Sequence, residues 1–211
     1  MIRKEGLLIV FEGIDGSGKS TQIRKLVNYI FEKSKYNHVI LTRNPYKDVN
    51  IRAILRQDND PLTQAEKLAD LFINDRKKQV EELVKPNLEK GHFVISDRYK
   101  LSTITYQAAQ GLEMEDLIKR HEGLPIPDIT FMIDVSPEEA RKRMEKKDVA
   151  IRGKEHKFET NLDFARKLRE NHYKAKEILE KEGEKIFIIN GERSPEEIFE
   201  EIKDIFEREI A

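Results

Sequence analysis

The sequence predicts an α/β protein built as a three-layer sandwich, with a five-stranded parallel sheet, helices on both faces and a small mobile lid. Short apolar runs alternate along the chain with longer segments whose apolar residues recur at helical spacing. Strands that alternate with helices in this way form parallel sheets that helices cover on both faces. The 211 residues suit one such domain, 1–211, in which a basic stretch at about 141–157 is the expected lid.

Five short apolar runs are the predicted strands. They cover residues 7–11, 38–42, 93–96, 129–133 and 186–189. Glu12 follows the first run and Asp97 follows the third. Ligands of parallel α/β sheets bind at the edge formed by the carboxyl ends of the strands, so we expect functional residues there.

Six helices are predicted between and after these strands. Residues 20–33 carry apolar side chains at helical spacing. Thr63 and Glu66 fit a capping box, which predicts a long helix from there to about residue 85. The sequence Ser-Pro-Glu-Glu at 136–139 recurs at 194–197, and it combines a serine cap, a proline at the first helical position and acids in the first turn. The remaining helices are expected at 98–110 and at about 160–182.

The composition favours a folded protein with balanced charge. Hydrophobic residues make up 38% of the chain and charged residues 37%, and the formal net charge is −1. This balance gives no general attraction to nucleic acid. The chain has no cysteine, which excludes disulfides and thiolate metal sites, and its five histidines show no metal-binding spacing. The first apolar run is too short to span a bilayer, so we expect a cytoplasmic protein with neither nucleic acid nor membrane as a partner.

A complete phosphate-binding pattern, GxxxxGK[ST], occupies residues 13–20, which read GIDGSGKS between a predicted strand and an amphipathic helix. The glycines let backbone N–H groups converge on one point, and the helix N-terminus adds partial positive charge. Lys19 supplies a cation for the β- and γ-phosphates, and Ser20 a hydroxyl for Mg²⁺. The pattern predicts a P-loop NTPase-type fold that binds a nucleoside triphosphate. The expected contacts are Gly13, Asp15, Gly16, Ser17, Gly18, Lys19, Ser20 and Thr21.

Asp97 ends the third predicted strand. A carboxylate at this point can hold Mg²⁺ directly or through water, or it can cap the following helix. Beside a phosphate-binding loop we favour the metal role. GTPases, ATPases and small-molecule kinases all share such a loop, so the loop alone does not define the reaction.

Motifs spread in order over essentially the whole chain resemble those of the thymidylate kinase family. Its P-loop is similar to residues 11–21, FEGIDGSGKST. Its DR[YH]xxS…YQ signature resembles residues 97–107, DRYKLSTITYQ. Its TREP and LFAADR segments resemble residues 42–45, TRNP, and 71–76, LFINDR. The resemblance implies an ATP-dependent kinase that converts dTMP to dTDP in dTTP biosynthesis, uses Mg²⁺ and forms a homodimer.

The resemblance implies where the phosphate and sugar of the acceptor bind. Arg98 and Arg43 would hold the phosphate, and Tyr106 would crowd the sugar 2′ position and favour deoxyribose. Asp15 would bind the 3′-OH. An acid inside a phosphate-binding loop repels phosphate, and a hydroxyl partner would explain its presence. Two alternatives stay open for Asp15, which are a side chain turned to solvent and an ion pair with Arg43 or Arg98.

Phe72 and Arg76 lie four residues apart and therefore share one face of a predicted helix. A ring for stacking beside a fork of donors could recognise a flat base with carbonyl oxygens. The resemblance implies that Phe72 stacks on thymine and that Arg76, Ser102 and Gln107 contact its polar edge. The alternative is that Phe72 packs in the core while Arg76 forms an ion pair at the surface.

The basic stretch at 141–157 has two interpretations. It is either the solvated face of a helix or a lid whose cations close over the transferring phosphoryl group and exclude water. Family members with a plain glycine at the position of Gly16 are similar in placing catalytic arginines in the lid, and Arg143 matches the arginine of the lid helix. The resemblance thus implies a catalytic set of Lys19, Arg98, Arg143 and Asp15.

Three features depart from the family pattern. Asn44 stands where the family usually has glutamate, residues 46–52, YKDVNIR, lack its glycines, and Lys157 replaces an arginine. The first two face the expected acceptor, so dUMP, UMP and dCMP stay alternative substrates. A GTPase-like nucleotide switch is an alternative from another class, against which the absence of an NKxD motif counts. A nucleic-acid-binding role is disfavoured by the charge balance.

Overall fold

A five-stranded parallel sheet organises the chain in the computed structural model, which describes residues 6–57, 64–148 and 161–211. The sheet order is β2-β3-β1-β4-β5, and every neighbouring pair is parallel. The α/β sandwich and all five predicted strands are confirmed. The strands are Leu7–Glu12 (β1), Val39–Arg43 (β2), Phe93–Asp97 (β3), Ile129–Asp134 (β4) and Ile186–Asn190 (β5).

Helices flank the sheet, and the sequence does not predict two of them, α2 and α6. Both are short, and α6 buries little beyond Leu117 and Ile118, so neither has a long apolar face that would reveal it in the sequence. In the described ranges the helices are Lys19–Lys33 (α1), Val49–Gln57 (α2), Ala65–Gln79 (α3), Lys85–Glu89 (α4), Lys100–Ala109 (α5), Met114–Lys119 (α6), Pro137–Asp148 (α7), Leu162–Lys181 (α8) and Pro195–Ile210 (α9).

The alternation of side chains along β1 shows how both faces of the sheet are covered. Leu7, Ile9 and Phe11 point to one face, where they pack with apolar residues of α1 and α9. Leu8 and Val10 point to the other face. On that second face α3, α5, α6 and α8 contribute to a further apolar cluster. Complete burial of each such side chain stabilises the fold by about 1.5–3 kcal/mol.

The long helix predicted to start at the Thr63 capping box and run to about residue 85 is confirmed as a helical segment from Ala65, but it widens near its end. After α3 the chain forms a π-helical turn, Val80–Val84, and then enters α4. Pro86 lies in the first turn of α4 rather than after the helix, and a turn of changed width tolerates its missing N–H. Thr63 of the predicted capping box lies outside the described residues, and Gln64 makes no side-chain capping bond.

The helix predicted over 98–110 begins two residues later than expected, at Lys100. Arg98 has φ 74, a left-handed conformation that few residues other than glycine adopt. Its N–H donates to the Phe11 carbonyl at 2.9 Å, and its own carbonyl accepts from Ser96 Oγ at 2.7 Å. These two bonds hold the backbone of the β3–α5 turn in place.

The predicted helix start at Ser194 is confirmed, because Ser194 and Glu197 form the complete capping box of α9. A cap that the sequence analysis did not predict is Asn161, which accepts from two backbone N–H groups at the start of α8. Among the described helices, none combines the length and the apolar character that a membrane crossing requires.

Candidate active site

The loop between β1 and α1 is a phosphate cradle whose shape depends on glycine. Gly13 and Gly16 both have positive φ. A Cβ on Gly13 would lie 2.4 Å from the carbonyl oxygen of Ile133, and a Cβ on Gly16 would lie 2.4 Å from that of Ala140. Larger residues would push the loop away from β4 and from α7, so the loop can adopt this curvature only with glycines.

Lys19 lies over this loop and is almost fully buried. Its Nζ donates to the carbonyls of Gly13 and Ile14 at 2.8 and 2.9 Å, and Oδ1 of Asp15 is 3.9 Å away. The ammonium group is therefore held directly above the cradle, from where it can move to a phosphate oxygen. Ser20, in the first turn of α1, is exposed.

Arg98 is the centre of a hydrogen-bonded cluster beside the cradle. Its Nη2 donates to Oδ1 of Asp15 at 2.5 Å and to the hydroxyl of Tyr106 at 3.2 Å. Its Nη1 donates to Oγ of Ser102 at 2.8 Å. Of the alternatives left open for Asp15, the ion pair with Arg98 is the one that forms. The structure thus joins four predicted site residues, and it places the Ser102 hydroxyl at Arg98.

Glu12 lies behind this cluster and is a site residue that the sequence did not reveal. It is fully buried, its Oε2 accepts from Ser102 Oγ at 2.5 Å, and its Oε1 accepts from the N–H groups of Tyr99 and Ser102 at 2.7 and 3.2 Å. Burial raises the pKa of the Glu12 carboxyl, while the bond from Ser102 and the charge of Arg98 act in the opposite direction. Glu12 fixes Ser102, and Ser102 in turn orients Arg98.

Arg43 and Asp97 lie side by side at the carboxyl ends of β2 and β3. Nε and Nη2 of Arg43 are 3.0 and 2.8 Å from Oδ2 of Asp97. Asp97 is buried, whereas the Arg43 side chain is mostly exposed. A carboxylate suited to a divalent cation and a cation suited to a phosphate therefore meet at one point of the sheet edge.

Arg76 is buried on α3, so its alternative role as a surface ion-pair partner is wrong. Nε donates to Oδ1 of Asn44 at 2.8 Å and Nη2 donates to Oγ1 of Thr103 at 2.9 Å. Nη1 lies 2.8 Å from Nε2 of His121, and the guanidinium covers the Tyr99 ring with 5.5 Å between the guanidinium carbon and the ring centroid. Burial lowers the pKa of Arg76 to about 10.

Asp75 anchors the segment that departs from the family pattern. Its carboxylate accepts from the backbone N–H of Tyr46, and from those of Lys47 and Asp48 at 2.8 and 2.9 Å. Three backbone donors converge on one buried acid, which ties the chain after Pro45 to α3. The same part of the chain carries Asn44, whose side chain contacts Arg76.

Phe72 and Gln107 are the other two residues of α3 and α5 that were predicted to contact the base. Phe72 is half-buried, one helical turn before Arg76. Gln107 is buried, its Nε2 donates to Oε1 of Gln110 at 3.0 Å, and its own Oε1 has no hydrogen-bond partner among the described residues. A buried acceptor without a donor is costly, and a ligand N–H would satisfy it.

With this geometry described, comparison with known proteins is informative. Residues 11–202 match the thymidylate kinase family. A probable thymidylate kinase of Thermococcus gammatolerans is 32% identical over 97% of this chain and 98% of its own length. A thymidylate kinase of Thermosipho africanus is 36% identical over 97% of this chain and 99% of its own length. One of Desulfotalea psychrophila is 40% identical over 68% of this chain and 71% of its own length.

The chain belongs to the thymidylate kinase family. Membership makes it a nucleotide-binding phosphotransferase that uses ATP as its phosphoryl donor. The thymidylate kinase signature residues lie at the carboxyl edge of the sheet, where β1 and β3 end beside each other. Three predicted site residues, Asp15, Ser102 and Tyr106, contact Arg98 beside the cradle. Arg76 on α3 has a separate set of partners.

The structure describes only part of the predicted lid. Residues 149–157, with Lys157, lie outside the described residues. The described part of the predicted lid, residues 141–148, belongs to α7. In the first turn of that helix Ala140 lies against Gly16, and Arg143 follows about one turn later. Nε of Arg143 donates to Oε1 of Glu139 at 2.7 Å. The helix that leads into the predicted lid therefore starts beside the phosphate cradle.

A cavity of about 600 Å³ lies at the ends of β4 and β5. It is lined by residues such as Asp134 and Arg193, and none of the predicted site residues lines it. Arg169 donates to both carboxylate oxygens of Asp134 at 2.7 Å, and Tyr173 donates to one of them at 2.8 Å. These bonds fasten α8 to the end of β4.

Proposed function

We propose that this protein transfers the γ-phosphoryl group of ATP to dTMP, giving dTDP and ADP, with Arg98 holding the acceptor phosphate. The observation that carries the proposal is the 2.5 Å contact between Arg98 and Asp15 of the phosphate-binding loop. This contact brings a cation for the acceptor directly against the cradle for the donor. Two phosphates bound there would lie close enough for direct transfer.

The chemistry needs no strong general base. The acceptor phosphate has its second pKa near 6, so the attacking oxygen already carries charge near neutral pH. That oxygen forms the new bond to the γ-phosphorus as the bond from the γ-phosphorus to the leaving ADP oxygen breaks. Lys19, Arg98 and Arg143 would align the groups and neutralise the charge that develops on them.

The donor set at the sheet edge fits Mg²⁺. The hydroxyl of Ser20 and the carboxylate of Asp97 are hard oxygen ligands, and Mg²⁺ typically takes one or two such groups together with substrate phosphates and waters. When bound, Mg²⁺ would neutralise charge on the β- and γ-phosphates. Arg43, which now pairs with Asp97, could then turn to the acceptor phosphate.

The two buried groups of the base site favour a pyrimidine with a carbonyl at C4 and an N–H at N3. Arg76 offers donors, and Oε1 of Gln107 offers an acceptor without a partner. Thymine and uracil present the complementary pattern, whereas cytosine presents an amino group and an unprotonated ring nitrogen. Phe72 would stack on the base, Tyr106 would exclude a 2′-hydroxyl, and Asp15 would bind the 3′-OH.

An acceptor panel tests this proposal. Purified protein with ATP and Mg²⁺ receives dTMP, dUMP, dCMP or UMP, and a coupled assay measures ADP release. We expect kcat/KM to be highest for dTMP, lower for dUMP, and lowest for dCMP and UMP. ADP release that none of the four monophosphates stimulates would contradict the proposal.

We further propose that the protein is a cytoplasmic homodimer that acts on free nucleotides rather than nucleic acid. The absence of cysteine supports the cytoplasmic location, and the net charge of −1 supports action on free nucleotides. The homodimer is what the resemblance to thymidylate kinases implies. Sedimentation of the purified protein at micromolar concentration should give twice the mass of the 24.8 kDa chain. The mass of a single chain under these conditions would contradict the dimer.

A further inference from the structure

Arg76 is a buried cation whose hydrogen-bond partners are all neutral. Arg76 is 1% exposed. Its guanidinium forms hydrogen bonds with the amide of Asn44, the hydroxyl of Thr103 and the imidazole of His121. No carboxylate in the described part of the chain lies within ion-pair distance of it. Buried arginines are ordinarily paired with an acid, because an uncompensated charge is costly away from water.

The two acids whose charges act on the pKa of Arg76, Glu12 and Asp75, form hydrogen bonds with other groups. Asp75 and Glu12 both raise the pKa of Arg76 slightly through space, but neither contacts it, and burial prevails. The Asp75 carboxylate is occupied by the backbone N–H groups of residues 46–48. The Glu12 carboxylate is occupied by Ser102 and by the N–H of Tyr99. Both acids are fixed, so neither can turn to neutralise Arg76.

His121 is held in the neutral form that can accept a bond from Arg76. Its Nδ1 lies 2.6 Å from the Leu117 carbonyl, which only an N–H can approach so closely, so Nε2 carries the lone pair. Burial, followed by the charge of Arg76, lowers the pKa of His121 to about 3. His121 therefore stays uncharged near neutral pH and adds no charge to the site.

Asn44 holds Arg76 from the other side. Its Nδ2 donates to Oε1 of Gln79 at 2.6 Å, which leaves Oδ1 to accept from Arg76. Gln79 is fixed in turn, because its Nε2 donates to Oγ1 of Thr42 at 2.8 Å. Asn44 stands where the resembling TREP segment has glutamate, so this chain has an amide at a position where an acid would neutralise Arg76.

We propose that Asn44 and His121 are positioning residues that keep Arg76 an uncompensated cation, and that acceptor selection in this protein therefore depends strongly on the 4-carbonyl oxygen of the base. The inference rests on the proposed function, in which Arg76 contacts the base. An arginine has five N–H donors, and the three bonds above leave two for a ligand. Hydrogen bonds from a charged donor are about twice as strong as neutral ones.

A matched pair of acceptors measures this dependence. In 4-thio-dTMP a sulfur replaces the 4-carbonyl oxygen, which weakens the acceptor and leaves the methyl group, sugar and phosphate unchanged. We expect the wild-type protein to prefer dTMP by at least about tenfold in kcat/KM, mainly through KM, because a charge-assisted bond is lost. Equal kcat/KM for the two acceptors would overturn the inference. Absence of turnover with dTMP would instead overturn the proposed function on which it rests.

Asn44→Asp places a carboxylate beside Arg76 with almost no change in shape. We expect the preference for dTMP over 4-thio-dTMP to fall about fivefold or more, because the guanidinium is then paired. Asn74→Asp is the matched control, because Asn74 is exposed on α3, the helix that carries Arg76. This variant should keep the wild-type preference. A merely structural Asn44 would affect stability and leave this preference unchanged, which would overturn the inference.

A second pair of variants keeps the test decisive if Asn44→Asp fails to fold. His121→Gln supplies a neutral acceptor to Arg76 from the same side, and His121→Glu supplies a charged one. The inference predicts that the glutamine variant retains the preference for dTMP and that the glutamate variant loses most of it. Equal preferences in the two variants would contradict a role for the uncompensated charge.

Discussion

Arg98 and Arg76 hold opposite ends of the acceptor in the proposed site, and their surroundings differ in kind. Arg98 is paired with the carboxylate of Asp15, whose side chain is 42% exposed. Arg76 is buried and forms hydrogen bonds with neutral partners. A phosphate is charged and heavily hydrated, so its arginine can remain near water and exchange one anion for another. A base is neutral, so its recognition depends on hydrogen bonds, which are strongest from a donor that is held in place and shielded from water.

The residues that hold the two arginines in place also differ. Arg98 is oriented by an ionisable carboxyl group, that of Glu12, through Ser102. Arg76 is oriented by amide, hydroxyl and imidazole groups. Loss of Arg98 should therefore affect chemistry with little effect on folding, whereas loss of Arg76 should affect both.

The largest expected effect is on the phosphate side. Arg98→Ala and Lys19→Ala should each lower kcat about a thousandfold, because each removes a cation that stabilises charge in the transition state. The proteins should stay folded, as judged by circular dichroism. Arg24→Ala, at an exposed position of α1, is the control and should retain wild-type kcat. Turnover near the wild-type value in either variant would exclude that residue from the chemistry.

Replacing Arg76 should affect both substrate binding and folding stability. We expect Arg76→Met to raise KM for dTMP about a hundredfold with a smaller change in kcat, because a charge-assisted bond to the base is lost. It should also lower the free energy of unfolding by about 1–3 kcal/mol, because the three buried partners left without a donor outweigh the relief from removing a buried charge. Urea unfolding measures this, with exposed Lys77→Met as the control. A variant as stable as the wild type would remove the contrast with Arg98.

Glu12→Gln should lower kcat/KM about tenfold by loosening Ser102 and Arg98. It should also change how stability depends on pH. Burial raises the folded pKa of Glu12 above its ordinary value of 4.5, so the folded state holds this proton more tightly than the unfolded state. Ionisation of Glu12 therefore costs stability as pH rises from 4.5 through the raised pKa, by up to about 1.4 kcal/mol per pH unit.

The glutamine variant cannot ionise at residue 12 and should lack this slope. Unfolding free energies of both proteins between pH 4 and pH 7 provide the measurement. The stability of the wild type relative to Glu12→Gln should decrease as pH rises over that range. A difference that stays constant with pH would show that Glu12 titrates as an ordinary carboxyl.

The smallest expected effect concerns Asp15. If Asp15 binds the 3′-OH, Asp15→Asn should lower kcat/KM for dTMP about fivefold and have little effect with the 3′-deoxy analogue. Coupled assays with both acceptors, in wild type and variant, complete the comparison. An equal loss with both acceptors would assign Asp15 to Arg98 alone.

The sequence predicted the parts of this molecule that depend on local pattern. All five strands, the phosphate-binding loop and the cap at Ser194 follow from nearby residues, and they are confirmed. Glu12, His121 and Asp75 were missed as site residues, because their roles depend on partners far away in sequence. A buried acid at a strand end was the one available signal for Glu12. Short helices such as α6 leave too weak a periodic pattern to be predicted.

The central claim is that one acceptor nucleotide spans both arginines. A crystal structure of the protein with dTMP tests it most directly. We predict that the phosphate contacts Arg98, with Asp15 released from that pair, and that the 4-carbonyl oxygen of thymine accepts a hydrogen bond from Arg76. A bound dTMP whose base lies away from Arg76, with the guanidinium still enclosed by protein groups alone, would contradict the account.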